Sequence, residues 1–403
     1  MNMRNKNREP IWIMVLRIAL ALLFLFSGMT KAIDPIDWGI KMDEYFNSFG
    51  ITFLHQASFY IGFIPVIAEF LLGFMLLFRI QVRWTALGYL LFMVFFFFLT
   101  LWLAVAEHLE VNYGYNFGVV KDCGCFGQAI SMSNLETFLK NVVIIIPTII
   151  IYLNYKKIPE LKATALGKLL LTFVGLAIVV AVQIYSLVFL PPVDFSNWRV
   201  GDQVVNTFID MPAKKEMLFI YQNNTDSTDQ IMLTEEQMGT ILDEKPNFYD
   251  EYEYIDRIDS VVAPAIEAEI NGFNMLDSMG RDHAPNYINP DQERLFILFV
   301  HNLDDAKSKA MKGKSLHSLV AACQEAGIPF VAVTNDSHDK IVSFISQYQL
   351  TFPIYQNLID PVKGPFMTRD AIRSNPGLIL IEKGVVTKKW SWRRIPSTLT
   401  QLK

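Results

Sequence analysis

The sequence predicts an α-helical membrane bundle, four helices plus a fifth linking helix, followed by an α/β domain outside the membrane. Three observations carry this. The chain has 403 residues, room for two domains or more. Its hydrophobic fraction is 52% and its mean hydropathy +0.28, too apolar for an ordinary soluble protein, and the apolar residues crowd into long runs in the first half. The second half instead alternates short apolar strands with amphipathic stretches and turns.

The elements follow in order. After a polar start carrying Arg4, Lys6 and Arg8, Ile11–Met29 is an apolar run about as long as the 20 residues a bilayer requires. No A-x-A site follows it, so a retained helix is expected rather than a cleaved signal peptide. Further runs lie near Phe59–Phe78, Trp84–Ala106, Phe138–Tyr152 and Leu169–Leu190. The fourth contains Pro147 and is expected to be kinked or tilted. The expected division is a four-helix membrane domain over 1–157, a cytoplasmic loop and fifth helix over 158–191, a mixed insert over 192–293 and a compact domain over 294–403.

The connecting segments set the orientation. Arg4, Lys6 and Arg8, then Arg79 and Arg83, then Lys156, Lys157, Lys162 and Lys168 fall in segments that share one side. The positive-inside rule makes that side the cytoplasm. Lys31–Ser58 and Glu107–Thr137 are then outer loops, and an odd number of crossings sends everything after Leu190 outside. The expected location is an inner membrane, with the second half of the chain in the periplasm.

One outer loop holds Lys-Asp-Cys-Gly-Cys-Phe-Gly-Gln at 121–128, with two of the three cysteines, Cys123 and Cys125, flanking Gly124. A disulfide needs Cα atoms within about 7 Å, so closure demands a sharp turn, which Gly124 permits. A bridge in so small a ring is expected to be strained and open to exchange. Lys121 favours a thiolate and Gly127 adds backbone freedom. The outer compartment is where disulfides form and persist. The competing reading is a static staple of the loop.

Two ionisable groups lie within the spans, where charge is costly and faces a partner or cavity. At 1.5 Å per residue, Arg17 lies roughly 9 Å and Glu69 roughly 14 Å from the cytoplasmic helix ends, so the expectation is that they pair. Lys31, at the outer end of the first helix, reads as a headgroup anchor. Gly28 and Gly73 suggest close helix packing.

These residues carry a resemblance. Arg17, Phe26-Ser27-Gly28, Lys31 and Asp34 in the first helix region, Glu69 and Gly73 in the second, and Cys123-Gly124-Cys125-Phe126-Gly127 before the fourth resemble the DoxX/MauE group of four-helix membrane proteins. The likeness covers about residues 11–155, and the Cys-Gly-Cys-Phe-Gly piece points to the MauE side. It implies a role in disulfide formation or electron supply for exported proteins, with Cys123 and Cys125 as the working thiols and Gly28, Lys31, Gly124, Phe126 and Gly127 as motif positions. No cofactor is evident. A quinone is possible on the analogy with quinone-linked disulfide carriers, but those use a second thiol pair, which this membrane half lacks.

Beyond Pro191-Pro192, Glu216–Tyr221 reads as a strand, Asn223–Asp226 as a turn, Thr234–Asp243 as a helix capped by Thr234, and Asp250–Asp259 as a solvated acidic face. From Arg294 the pattern is firmer. Leu295–Val300 is a buried strand, Lys312–Ala326 a helix stopped by Gly327, Pro329–Thr334 a strand and Ser337–Gln347 a helix. Leu378–Ile381 and Val385–Trp390 then form a hairpin about Lys383-Gly384. This order resembles the thioredoxin fold, and Pro376 matches that fold's cis-proline groove. The Cys-x-x-Cys position reads His301-Asn302-Leu303-Asp304, so the domain has no dithiol of its own. Cys323, beside Val320 and Ala321, reads as a buried core thiol. His301 is a candidate proton donor.

Formal net charge of -5 and the lack of a basic patch argue against nucleic acid, and no zinc-site spacing appears, so no metal is expected. Two readings remain. The first is an inner-membrane thiol–disulfide protein whose periplasmic domain docks a redox or exported partner; the second is a non-enzymatic anchor or scaffold subunit of a periplasmic or respiratory complex. Membrane lipids are partners in either.

Overall fold

The computed structural model describes residues 9–115, 117–118, 120, 124, 130, 132–196, 198–205, 214–263, 272–358 and 367–402. The chain divides into two compact units. The first is Met1–Arg199 with Ala371–Ser374 and Trp390–Arg394; the second is Val200–Asp370 with Asn375–Lys389 and Ile395–Lys403.

The first unit is helical: α1 Ile11–Ile33, α2 Pro35–Ser48, α3 Ser58–Leu77, α4 Val82–Tyr113, α5 Asn134–Leu153 and α6 Ala165–Val188. All but α2 are long and apolar enough to cross a membrane, which makes this a multi-pass membrane protein. α5 runs through Pro147 as one helix. α4 continues seven residues past the expected end, Glu107 to Tyr113, before Gly114 at φ +70 stops it.

The segment 31–58, expected as a loop, instead holds α2 and a 3-10 turn. Asp34 caps α2 by accepting the Asp37 N–H at 3.2 Å, and Pro35 occupies the first helical position, where its missing N–H costs nothing. The Asp34 carboxylate also accepts from Arg373 Nε at 2.9 Å, with Asp37 3.7 Å from Nη2.

α1 and α3 meet closely because each presents a glycine. A Cβ on Gly28 would lie 2.8 Å from the Phe70 backbone nitrogen, and one on Gly73 would lie 2.8 Å from that of Leu25. No other residue fits at either place. Around this seam Leu20, Ala21 and Phe24 pack with Leu76, Ala86, Tyr89 and Met93, and Ala32, Trp38, Phe70, Phe74 and Val179 form a second cluster.

The second unit holds two sheets. β1 Lys214–Asn223 pairs antiparallel with β2 Gln230–Leu233 and with β3 Tyr252–Ala263, giving the order β2-β1-β3. α7 Glu235–Glu244 follows β2, opened by a capping box between Thr234 and Gln237. The acidic stretch 250–259, read as a solvated face, is for the most part the paired strand β3, although most of its side chains are exposed. Alternating tyrosine, isoleucine and acid is a strand pattern, and the charge masked it.

The larger sheet contains β4 Leu295–Val300, β5 Phe330–Thr334, β6 Ile354–Gln356, β7 Gly377–Glu382 and β8 Val385–Ser391, in the order β6-β5-β4-β7-β8. α8 Lys314–Glu325 joins β4 to the parallel β5, α9 His338–Tyr348 follows β5, and β7 returns antiparallel to β4. β7 and β8 form a hairpin about Lys383 and Gly384, at φ +52 and +79. Every residue of β4 is buried, as its unbroken apolar run requires. This connectivity makes the domain thioredoxin-like. The edge strand β6, three residues after Pro353, is an addition the sequence pattern did not show.

Gly73→Ala is expected to cost about 1–3 kcal/mol by forcing α1 from α3. Gly88→Ala should cost less, because only the flexible end of Leu72 lies 3.0 Å from its added methyl. Thermal unfolding of the two variants in detergent checks the order.

Candidate functional site

The first unit gathers its polar residues where α1, α2 and α3 meet. Gly28 rests on Phe70, so Lys31, three residues along the same helix face, comes beside Glu69. Lys31 Nζ donates to Glu69 Oε2 at 2.5 Å and to Ser27 Oγ at 2.8 Å, and both charged side chains are buried. The ammonium also lies 5.3 Å from the centre of the Trp38 ring.

This corrects two expectations. Arg17 does not pair with Glu69. It binds Glu9 through Nε at 2.8 Å and donates Nη1 to the carbonyls of Leu76 and Leu77 at 3.0 and 2.9 Å. Those carbonyls end α3, where the helix dipole is negative and no intrahelical donor remains. Lys31 is not a headgroup anchor either, because α2 and Glu69 enclose it. Depth along the membrane fixed neither partner; the glycine-set face of α1 did.

Cys123, Cys125, Phe126 and Gly127 lie outside the described residues. Gly124 between the cysteines is described: it is buried, at φ +64, and a Cβ there would lie 3.0 Å from Trp38 Cζ3 and 3.3 Å from Lys41 Cγ. Backbone conformation and steric room thus both demand glycine. The flanks are tied as well. Phe117 N–H donates to Glu110 Oε1 at 2.5 Å, and Asn134 Nδ2 donates to the Val120 carbonyl at 2.9 Å. Val120 packs with Tyr45 and Leu103, and a Ser133–Glu136 capping box opens α5. A cavity of about 30 Å³, bordered by Ser27, Lys31, Glu69 and Asn141, is large enough for a water.

In the second unit the polar network lies at the end of β4. His301 N–H donates to Asn375 Oδ1 at 3.1 Å, and Asn375 Nδ2 donates to the Asn302 carbonyl at 2.9 Å. His301 Nδ1 is 3.2 Å from Thr368 Oγ1, whose hydroxyl donates to Asn335 Oδ1 at 2.8 Å. Leu303 N–H donates to Asp336 Oδ2 at 2.6 Å. The Asn375–Pro376 peptide beside this network is cis. Side-chain amides and a hydroxyl thus hold the turn at 301–304, where a thioredoxin would carry its thiols.

Cys323 is fully buried in α8, and burial pushes its thiol up to about 11, so it is no nucleophile near neutral pH. Asp277, missed in the sequence, accepts from Arg281 at 2.8 Å and lies 3.0 Å from His283 Nε2. The hydrogen bond from His283, with those from Arg281 and Met279, holds its carboxyl far below the usual range. Among the described residues, no three His, Cys, Asp or Glu side chains group as metal ligands.

Lys31→Ala or Glu69→Ala leaves one buried charge alone and is expected to cost about 3–5 kcal/mol. Exchanging the two residues should recover part of that loss, which thermal unfolding of the single and double variants would reveal. Cys323 should resist iodoacetamide in the native protein and react once guanidinium unfolds the domain.

A family model, methylamine utilisation protein MauE, matches residues 9–154. No curated protein matches the chain. Among solved structures, the chain is similar to the Xanthomonas campestris bacterioferritin comigratory protein, described for alkyl peroxide reduction. Identity there is 15%, covering 30% of this chain and 81% of that one, at a TM-score of 0.22. A structure of Xanthomonas campestris peroxiredoxin Q gives 14% identity over 30% of this chain and 80% of that one, also at 0.22. Scores this low bear no functional weight, and the fold rests on the strand order. The first five helices are therefore similar to MauE proteins, and the chain continues into a thioredoxin-like domain without a Cys-x-x-Cys pair.

Proposed function

We propose that this is an inner-membrane thiol–disulfide protein whose Cys123 and Cys125 exchange electrons with exported proteins on the periplasmic side. The observation that carries the reading is Gly124. The residue between the two cysteines is buried at φ +64 against Trp38, which Lys31 holds from below. A left-handed turn at the middle residue is the kind of local fold that draws two such close thiols together. The MauE match over this segment supports the same reading.

The exchange balances as follows. A partner thiolate attacks one sulfur of the Cys123–Cys125 disulfide, the S–S bond breaks and a mixed disulfide forms. The partner's second thiolate attacks that bond, leaving the partner oxidised and the pair reduced by two electrons and two protons. The thioredoxin-like domain, periplasmic in this reading, holds and orients the partner beside Pro376 rather than reacting with it. Its lack of cysteine at 301–304 equally favours a second reading, in which the chain is an anchor and the pair only staples a loop.

Cys125→Ser or Cys123→Ser should accumulate mixed disulfides with exported proteins, separable on non-reducing gels and identifiable by mass spectrometry. Alkylation in graded redox buffers tests the alternative: titration near the periplasmic poise supports exchange, and a bridge that resists the glutathione pool supports the staple. Membrane-impermeant maleimide should reach this loop from the periplasm; labelling only from the cytoplasm sinks the proposal.

A further inference from the structure

The smaller sheet leaves one long strand open. β3 pairs with β1 along one side, and among the described residues no strand lies along its other side. The ladder is irregular at Ile220/Tyr221 and at Lys214/Lys215. Between those points Asp256 to Val261 runs in unbroken register, the length of an ordinary strand. The outward N–H and C=O groups of that stretch are in place to pair with a further strand. Residues 253–259 are exposed without a break, where a strand lying on a core would alternate.

One face of this sheet is covered and the other is not. Phe219, Tyr221 and Leu233 pack with Met238 and Ile241 of α7. The opposite face carries Leu218 and Ile220, with Ile258 across from Leu218 and Met232 across from Ile220. Met232 is 53% and Ile258 41% exposed, so an apolar stripe reaches the β3 edge in the open. Charge says what fits beside it. Residues 214–263 hold twelve Asp and Glu against four Lys and Arg, although the whole chain is only at -5. Glu253, Asp256 and Asp259 stand on the exposed part of β3 itself. A second copy of this strand would bring carboxylates against carboxylates, whereas a strand bearing lysine or arginine meets opposite charge.

We propose that β3 is a docking edge for a basic, extended segment of a partner protein, which joins the sheet as a fourth strand. Its backbone pairs with Asp256 to Val261. Its apolar side chains extend the stripe past Ile258, and its lysines or arginines lie against Asp256 and Asp259. Main-chain hydrogen bonds supply the affinity, and the charges select the partner. The proposal stands on this sheet alone and is independent of the thiol–disulfide reading.

The test uses the full chain in nanodiscs of zwitterionic phosphatidylcholine. The probe is a fluorescein-labelled peptide of alternating lysine and valine, read by fluorescence anisotropy. Saturable binding is expected in the native protein and in the Cys123→Ser/Cys125→Ser variant alike. Asp256→Lys with Asp259→Lys, both at exposed positions, should weaken it by about tenfold or more. Glu325→Lys, exposed at the end of α8, should leave it unchanged. A peptide methylated at every backbone nitrogen keeps its charges but cannot donate to the ladder, and should bind about tenfold more weakly or worse. The proposal is overturned by lack of saturable binding, or by binding indifferent to the paired Asp variants. A methylated peptide that binds as tightly as its parent overturns it too, because the edge is then only a charged surface. So does a native dimer in detergent that the paired Asp variants dissolve, which would put a second copy on the edge.

Discussion

The approach of α1 to α3 at Gly28 and Gly73 governs the membrane unit. With no Cβ at either glycine, the two backbones come within van der Waals reach and bury what lies along the seam. A charge in such a place must find its opposite. Lys31 and Glu69 do so, and the pairing then fixes what lies above it. The ammonium steadies the Trp38 ring, and that ring is the floor for Gly124. A run of contacts through Lys31 and Trp38 thus links the helix seam to Gly124.

The thioredoxin-like domain keeps the strand order of that fold and carries no cysteine in its turn at 301–304. β4 still ends beside a cis-proline, where the fold places its reactive turn. In this chain that turn is held by His301, Asn335, Thr368 and Asn375, groups that donate and accept hydrogen bonds but carry no electrons. Such a network gives a shaped, rigid surface, which suits recognition. The division of labour proposed above follows: thiols on the membrane unit, recognition on the α/β domain.

Much of this was legible in the sequence because it depends on patterns along the chain. The five spans, the Thr234 cap, the buried run of β4 and the glycine turns all follow from local spacing. What was not legible depends on direction around a helix. Arg17 and Glu69 lie at compatible depths, yet each faces a different neighbour, and a count of residues gives depth without azimuth. α2 carries a helix-start signal in Asp34-Pro35, but its polar face makes the stretch read as a loop. β3 was hidden by its acids, and β6 by being only three residues long.

Cys323 has a quieter consequence. An accessible lone sulfur invites stray cross-links wherever it meets an oxidant. Sealed in α8 with its proton held to about 11, it stays out of that competition. While the α/β domain stays folded, its one sulfur is closed to oxidants and alkylating reagents alike.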